Sequence, residues 1–295
     1  SWFAMVAALP VVLVFAIVSP RPAVLRVREP KSRTDVILVG TMHYNPTSIA
    51  LARSTIDAEG EAGRLRAVAV ESCPTRWNAT LKIQAPGSIT RLICDNEMQA
   101  AAEAGESFGV PLELADQTIE DTGRRASQLL ALTCAQLLTP WAGGWASIGD
   151  DFRQAFAQVV TAKDGLKPTA LLNGPLLLSA PVSLLRYPLA IVLKQPLALA
   201  PLGLAGWLLG QPVVLPPEGA DLSGELLQSA AILVLETLVL GRLLLVGLLE
   251  ERNYVLARNI RRACLRAKPG GSVVAVLGMA HCNGVAELLS DSRIM

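Results

Sequence analysis

Four short apolar runs, each followed by a stretch with helical spacing, organise much of this chain. The runs are Asp35–Gly40 (DVILVG), Arg66–Glu71 (RAVAVE), Val110–Ala115 (VPLELA) and Ser272–Leu277 (SVVAVL). Between them, Pro46–Glu59 carries Ile49, Leu51 and Ile56 at helical spacing. Asn96–Gly109 is Ala-rich and stops at a glycine, and Thr118 opens a helix that runs through Leu129 and Leu130. A last helix, about 247–267, ends in Arg261, Arg262, Arg266 and Lys268, which suit a helix C-terminus, before Pro269-Gly270-Gly271 stops it. Apolar strands alternating with helices predict an α/β fold with a mainly parallel central sheet flanked by helices.

Two regions break that rhythm. Residues 2–19 carry no charge and are followed by Arg21, Arg26 and Arg28, a pattern expected of a membrane anchor, a cleaved signal segment or a buried helix. Residues 168–249 are almost uncharged, and Pro196, Pro201, Pro212, Pro216 and Pro217 punctuate their middle, which argues against a straight spanning helix. This strongly apolar stretch reads as a helical insert between the third and last core strands, with a buried helical hairpin slightly favoured over a membrane-facing one. The expected organisation is an apolar N-terminal segment (1–30), an α/β core made of 31–130 and 247–295, and an insert (131–246).

Composition adds limits. The chain is 52% hydrophobic and only 17% charged, which excludes disorder and agrees with a membrane-associated or heavily buried segment. Lys and Arg number 26 against 25 Asp and Glu, a net charge of +1, so no basic excess argues for a nucleic-acid partner. The 5 cysteines are scattered with no C-x-x-C, unlike a disulfide scaffold or a structural zinc site.

The candidate chemistry lies at the strand ends. The chain has 2 histidines, and each follows an apolar strand in a Gly-x-x-His pattern: VILVGTMH ends at His43 and VVAVLGMAH at His281. The glycines are read as letting the backbone turn off the strand, placing each His on the following loop. Glu71 and Asp116 close the other two strands. Ligands in open α/β sheets bind at the carboxyl ends of strands, so parallel neighbours would bring these four residues to one edge. Two imidazoles and a carboxylate form a three-ligand site with an open position for water; alternatively Glu71 is a general base without metal.

These motifs resemble the TraB/PrgY family, which is similar to TIKI peptidases, GumN-like proteins and the erythromycin-esterase group. The resemblance rests on Gly40-Thr41-Met42-His43 with Ser48, on Val70-Glu71-Ser72-Cys73 with Arg76, and on Glu97. It continues through Asp116, Thr122 and Arg125 to Glu251-Arg252-Asn253, and closes on Gly278-Met279-Ala280-His281 with Gly284. It covers 35–126 and 247–289. Gln117 and Asn253 depart from the family's usual Arg and Asp. The resemblance implies a metal-dependent hydrolase of peptide or small acyl bonds, with a divalent ion (Mn, Co, Fe or Zn) at His43, His281 and Glu71. It further implies Glu97 as another ligand or base, and Arg125 to orient a carboxylate or stabilise an oxyanion. It also implies a membrane location, mitochondrial or plastid in a eukaryotic member. The alternative expectation is a non-enzymatic, membrane-associated regulatory or binding protein on the same fold.

Overall fold

The computed structural model describes residues 23–160, 165–167, 169–170, 173–194, 233–235, 238–267 and 269–293. The apolar run 2–19 and the Pro-punctuated 195–232 lie outside the described residues. Five strands form one sheet: β1 (Val24–Arg28), β2 (Asp35–Thr41), β3 (Leu65–Val70), β4 (Leu112–Leu114) and β5 (Ser272–Gly278), in the order β1-β2-β5-β3-β4. β2, β5, β3 and β4 are parallel to their neighbours and β1 is antiparallel to β2. The sheet is therefore mixed and mostly parallel.

The interior strands are apolar at nearly every position because both faces are covered. Successive side chains point to opposite faces. Ile37, Val39, Val274 and Val276 pack with Ile56 of α1 (Pro46–Glu61) and Ala101 and Ala104 of α4 (Glu97–Ser107). Val36, Leu38, Val273 and Ala275 face the other way, onto Leu256 and Ile260 of α8 (Glu251–Arg266) and Val285 and Leu289 of α9 (Met279–Ser290). Further α-helices among the described residues are α2 (Pro74–Ile83), α3 (Ile89–Ile93), α5 (Ile119–Leu137), α6 (Gly144–Val160) and α7 (Gly174–Lys194). A π-helical segment, Leu243–Glu250, runs directly into α8.

Several expectations need adjustment. The sheet begins at Val24, inside the range read as an N-terminal segment. Arg26 and Arg28, read there as a basic flank, instead lie on β1, where they reach Glu59 and Asp35. Their alternation with Leu25 and Val27 suits an edge strand covered on one face. The strand VPLELA shortens to Leu112–Leu114 at the opposite edge.

In the insert, α7 is not a buried hairpin among the described residues. Leu178, Leu184 and Leu185 are 84%, 74% and 75% exposed. α7 is long and apolar enough to cross a membrane, a property that core helices of soluble proteins share. Its other side is tied to the core: Ser179 Oγ donates to Asn45 Oδ1 (2.8 Å) and shares a hydrogen bond with Thr47 Oγ1 (2.9 Å) at the start of α1.

Candidate active site

Register places the chemistry. Thr41 lies beside Gly278 across the β2–β5 pair, and Val70 lies beside Val276 across β3–β5. The residues leaving these three strands therefore emerge at one edge. His43 leaves β2 on a tight loop, where the Met42 N–H donates to Ser48 Oγ (3.0 Å). Asn45 then caps α1 by accepting from the N–H groups of Thr47 and Ser48, and Pro46 starts the helix. Between them Tyr44 takes φ 60°, an uncommon value for a bulky residue. Its N–H is held by Glu97 Oε2 (3.0 Å). Glu97 opens α4 behind the Asn96 cap, where a carboxylate suits the helix dipole.

His281 is not on a loop, as the strand-end pattern suggested, but in the first turn of α9, which starts at Met279. The glycines before the histidines serve a different purpose from the expected sharp turn, since neither has a positive φ. A Cβ on Gly278 would lie 3.2 Å from Glu71 Oε2 and 3.3 Å from His43 Nε2. A Cβ on Gly40 would lie 2.9 Å from Leu166 Cδ1 and 3.1 Å from Cys282 Sγ. Close approach, rather than backbone direction, favours glycine at both positions.

The polar contacts orient both rings alike. His43 Nδ1–H donates to Glu97 Oε1 (2.6 Å), so its Nε2 faces the space over Gly278. His281 Nδ1–H donates to Asn253 Oδ1 (2.7 Å), and its Nε2 lies 3.4 Å from Glu71 Oε1. The Asn253 amide is oriented by its own donation to Gln158 Oε1 (3.1 Å). Glu71 Oε2 accepts the Gly278 N–H (2.6 Å) and Oε1 accepts from Arg252 Nη2 (2.6 Å). Arg252 also grips both oxygens of Asp116, and Arg76 shares its Oδ2. Arg252 and Asn253 are adjacent on α8. The roughly 100° between successive helical residues sends one to the carboxylates and the other to His281.

Burial alone would raise the Glu71 pKa, but His281, His43 and Arg252 around it hold it well below the usual carboxylate range. For His43, burial disfavours the charged ring. The Glu97 hydrogen bond and the charges of Glu97 and Glu71 outweigh that and raise its pKa from 6.5 to about 9. A raised histidine pKa stabilises the folded state most fully below the unfolded value of 6.5, and this contribution is lost as pH rises through about 9. In metal-free protein, NMR titration should place His43 near that value, and Glu97→Gln should bring it down. A His43 titration that Glu97→Gln leaves unmoved would contradict this account.

The structure thus brings His43, Glu71, Glu97 and His281 together, with Asp116 linked through Arg252. Arg125 stands apart, on the exposed side of α5. It pairs in bidentate fashion with Glu251 (2.7 to 2.9 Å) rather than with Asp121, which Arg124 takes. The Cys282 thiol is buried, and burial pushes its pKa up, so it has no thiolate character.

A cavity of about 260 Å³ opens at His43, Glu71, Arg76 and Arg252, and its far wall is α7, with Tyr187 and Lys194. Tyr187 stacks on His43 at 5.9 Å between ring centroids, with the planes 10° apart. Neither Tyr187 nor Lys194 was anticipated. The available signal was that Lys194 is the only charge between Arg186 and Glu218. Arg76, Arg252 and Asn253 entered only through the resemblance.

Among the described residues no group of three or more His, Cys, Asp and Glu side chains is arranged to grip an ion as it stands. In kind, however, the donors suit a divalent cation. Two imidazoles present Nε2 with Nδ1–H already anchored, the usual outer arrangement of metal-binding histidines, and a carboxylate lies between them. The position a Cβ would fill at Gly278 borders both Glu71 and His43. No protein-family model matches the chain, and no curated protein matches it. Fold and site together define an α/β protein with an imidazole–carboxylate centre at the carboxyl edge of its sheet.

Proposed function

We propose that the chain is a TraB-like, metal-dependent hydrolase of peptide or small acyl bonds. The observation that carries this reading is the shared orientation of two rings far apart in the sequence, each with Nδ1–H fixed by an acceptor and Nε2 turned toward Glu71 or the cradle beside it. His43, His281 and Glu71 would hold the ion, which when bound supplies a Lewis acid and lowers the pKa of water. Glu97 and Asn253 keep the Nδ1 protons and so fix both tautomers. Gly278 leaves room for a reacting atom beside Glu71, and Tyr187 shields one face of His43 from water. Arg252 orients Glu71, and its guanidinium borders the cavity where an oxyanion would develop.

A membrane-associated location, an organelle membrane in a eukaryotic cell, belongs to the same proposal. The uncovered leucines of α7 and the apolar run 2–19 support it. Because α7 faces the cavity with Tyr187 and Lys194, it is read as lying on the core rather than crossing a bilayer.

The test is elemental analysis for Mn, Co, Fe and Zn on the full chain, His43→Ala and His281→Ala. Each protein is also assayed on a panel of peptide and simple ester substrates. Metal content and turnover are expected to fall together in both variants. Equal metal in all three proteins would defeat the metal assignment. Full metal with no turnover on any substrate would favour the regulatory alternative, which the engagement of Glu71 by Arg252 also favours.

A further inference from the structure

The cavity beside His43 holds more cationic donors than its acids use. Glu71 is committed to the Gly278 N–H and Arg252, and Glu97 to His43 and the Tyr44 N–H. Asp116 is shared by Arg252 and Arg76. Lys194, at the last turn of α7, has no carboxylate partner among the described residues. Its ammonium donates to the neutral Tyr44 hydroxyl (2.9 Å) and lies 5.6 Å from the centre of that ring. Arg76 uses Nη2 on Asp116 and the Gln117 carbonyl, and Nε on the Cys73 sulfur (3.4 Å), which leaves Nη1 without a partner among the described residues. Both side chains line the same cavity as His43 and Glu71.

A part-buried ammonium whose hydrogen-bond partner among the described residues is a phenol is costly, and the nearby charge of Glu97 offsets the loss of water only in part. Burial accordingly lowers the Lys194 pKa from 10.5 to about 8, which still leaves it mostly charged at neutral pH. An ammonium held this way, on the wall of an open cavity that a guanidinium also lines, is arranged for an incoming oxyanion. Tyr44 fixes the site relative to the chemistry, since it directly follows His43 and its backbone is pinned by Glu97.

We propose that Lys194 and Arg76 form an anion subsite that binds a carboxylate or phosphate group of the ligand in the cavity next to His43. The proposal deepens the hydrolase reading by naming the chemical class of its substrate: an acyl compound bearing a nearby negative charge, such as a peptide with a free terminal carboxylate. Calorimetric titration of the full chain with N-acetyl-dialanine, its C-terminal amide and methyl phosphate tests it without requiring turnover. At least one anion should bind about tenfold tighter than the amide, a difference of about 1.4 kcal/mol. Lys194→Met should reduce that anion to the level of the amide, and Lys194→Arg should restore it. Preference for the carboxylate identifies a peptide-like ligand, and preference for methyl phosphate a phosphate ester.

The contrast between anions and amide on the unmodified chain needs no variant, so misfolding of Lys194→Met would not shelter the proposal. Equal binding of the amide, unchanged anion binding by a folded Lys194→Met, or binding of neither anion overturns it. The two readings separate: anion preference without hydrolysis leaves the subsite and removes the hydrolase, and hydrolysis without anion preference does the reverse.

Discussion

Arg252→Met is expected to destabilise the fold by about 3–5 kcal/mol, the usual cost of stripping the partner from a buried charge. The Glu71 and Asp116 side chains are 4% and 0% exposed, and Arg252, itself 14% exposed, bridges them. Asp116 would keep Arg76, but Glu71 would lose the permanent cation beside its carboxylate and retain the Gly278 N–H and the imidazoles. The damage therefore falls on Glu71. Neutralising that residue should repair it: Arg252→Met with Glu71→Gln should recover much of the loss, because an unpaired buried charge costs more than an absent pair. Urea denaturation of the two variants and the parent measures this directly. A loss below about 1 kcal/mol, the scale of an exposed ion pair, would mean that water reaches the bridge. A double variant no more stable than the single one would assign the loss to packing of the Arg252 side chain instead.

Gly284→Ala should also destabilise the fold, at the site itself. Gly284 lies on α9 one turn beyond His281, and a Cβ there would come 2.2 Å from Asn253 Nδ2, 3.0 Å from its Cγ and 3.1 Å from Gln158 Oε1. Asn253 is fully buried and cannot swing into solvent. To make room it must give up its Oδ1 contact with His281 or its donation to Gln158. Overpacking of this kind costs about 1–3 kcal/mol. Here it should also release the His281 ring, visible as a changed imidazole signal by NMR. Asn253→Ala in the same chain should relieve the clash and recover stability without restoring the ring. Unchanged melting together with an unchanged His281 signal would show that α9 shifts to absorb the methyl.

The strand-end histidines were legible because each sits after an apolar strand, and strand polarity plus parallel pairing forces such residues to one edge. Glu71 was legible for the same reason. The strand Val24–Arg28 was missed because its two arginines, viewed from the apolar run before them, look like an anchor's basic flank. Only pairing with β2 reveals that they alternate with Leu25 and Val27 across an edge strand. Arg125 entered through the resemblance, and its partner was not legible from local spacing. Asp121 is one helical turn away, but Glu251, distant in sequence, offers a bidentate partner.

The order of apolar runs and helical stretches determined the α/β class and the mostly parallel sheet, since side-chain periodicity and burial are written locally along the chain. It also gave the expectation that two imidazoles and an acid would share an edge, on the condition of parallel pairing that the structure supplies. Only the tertiary structure decided which ring nitrogen each histidine presents, because Glu97 and Asn253 reach those rings from α4 and α8 through contacts no local spacing encodes. It alone decided that Gly278 stands for space rather than for a turn, and that α7, an oily helix by composition, brings Tyr187 and Lys194 to the wall of the site. Those outcomes depend on how separate elements pack against one another, a property of the assembled layers and not of any single segment.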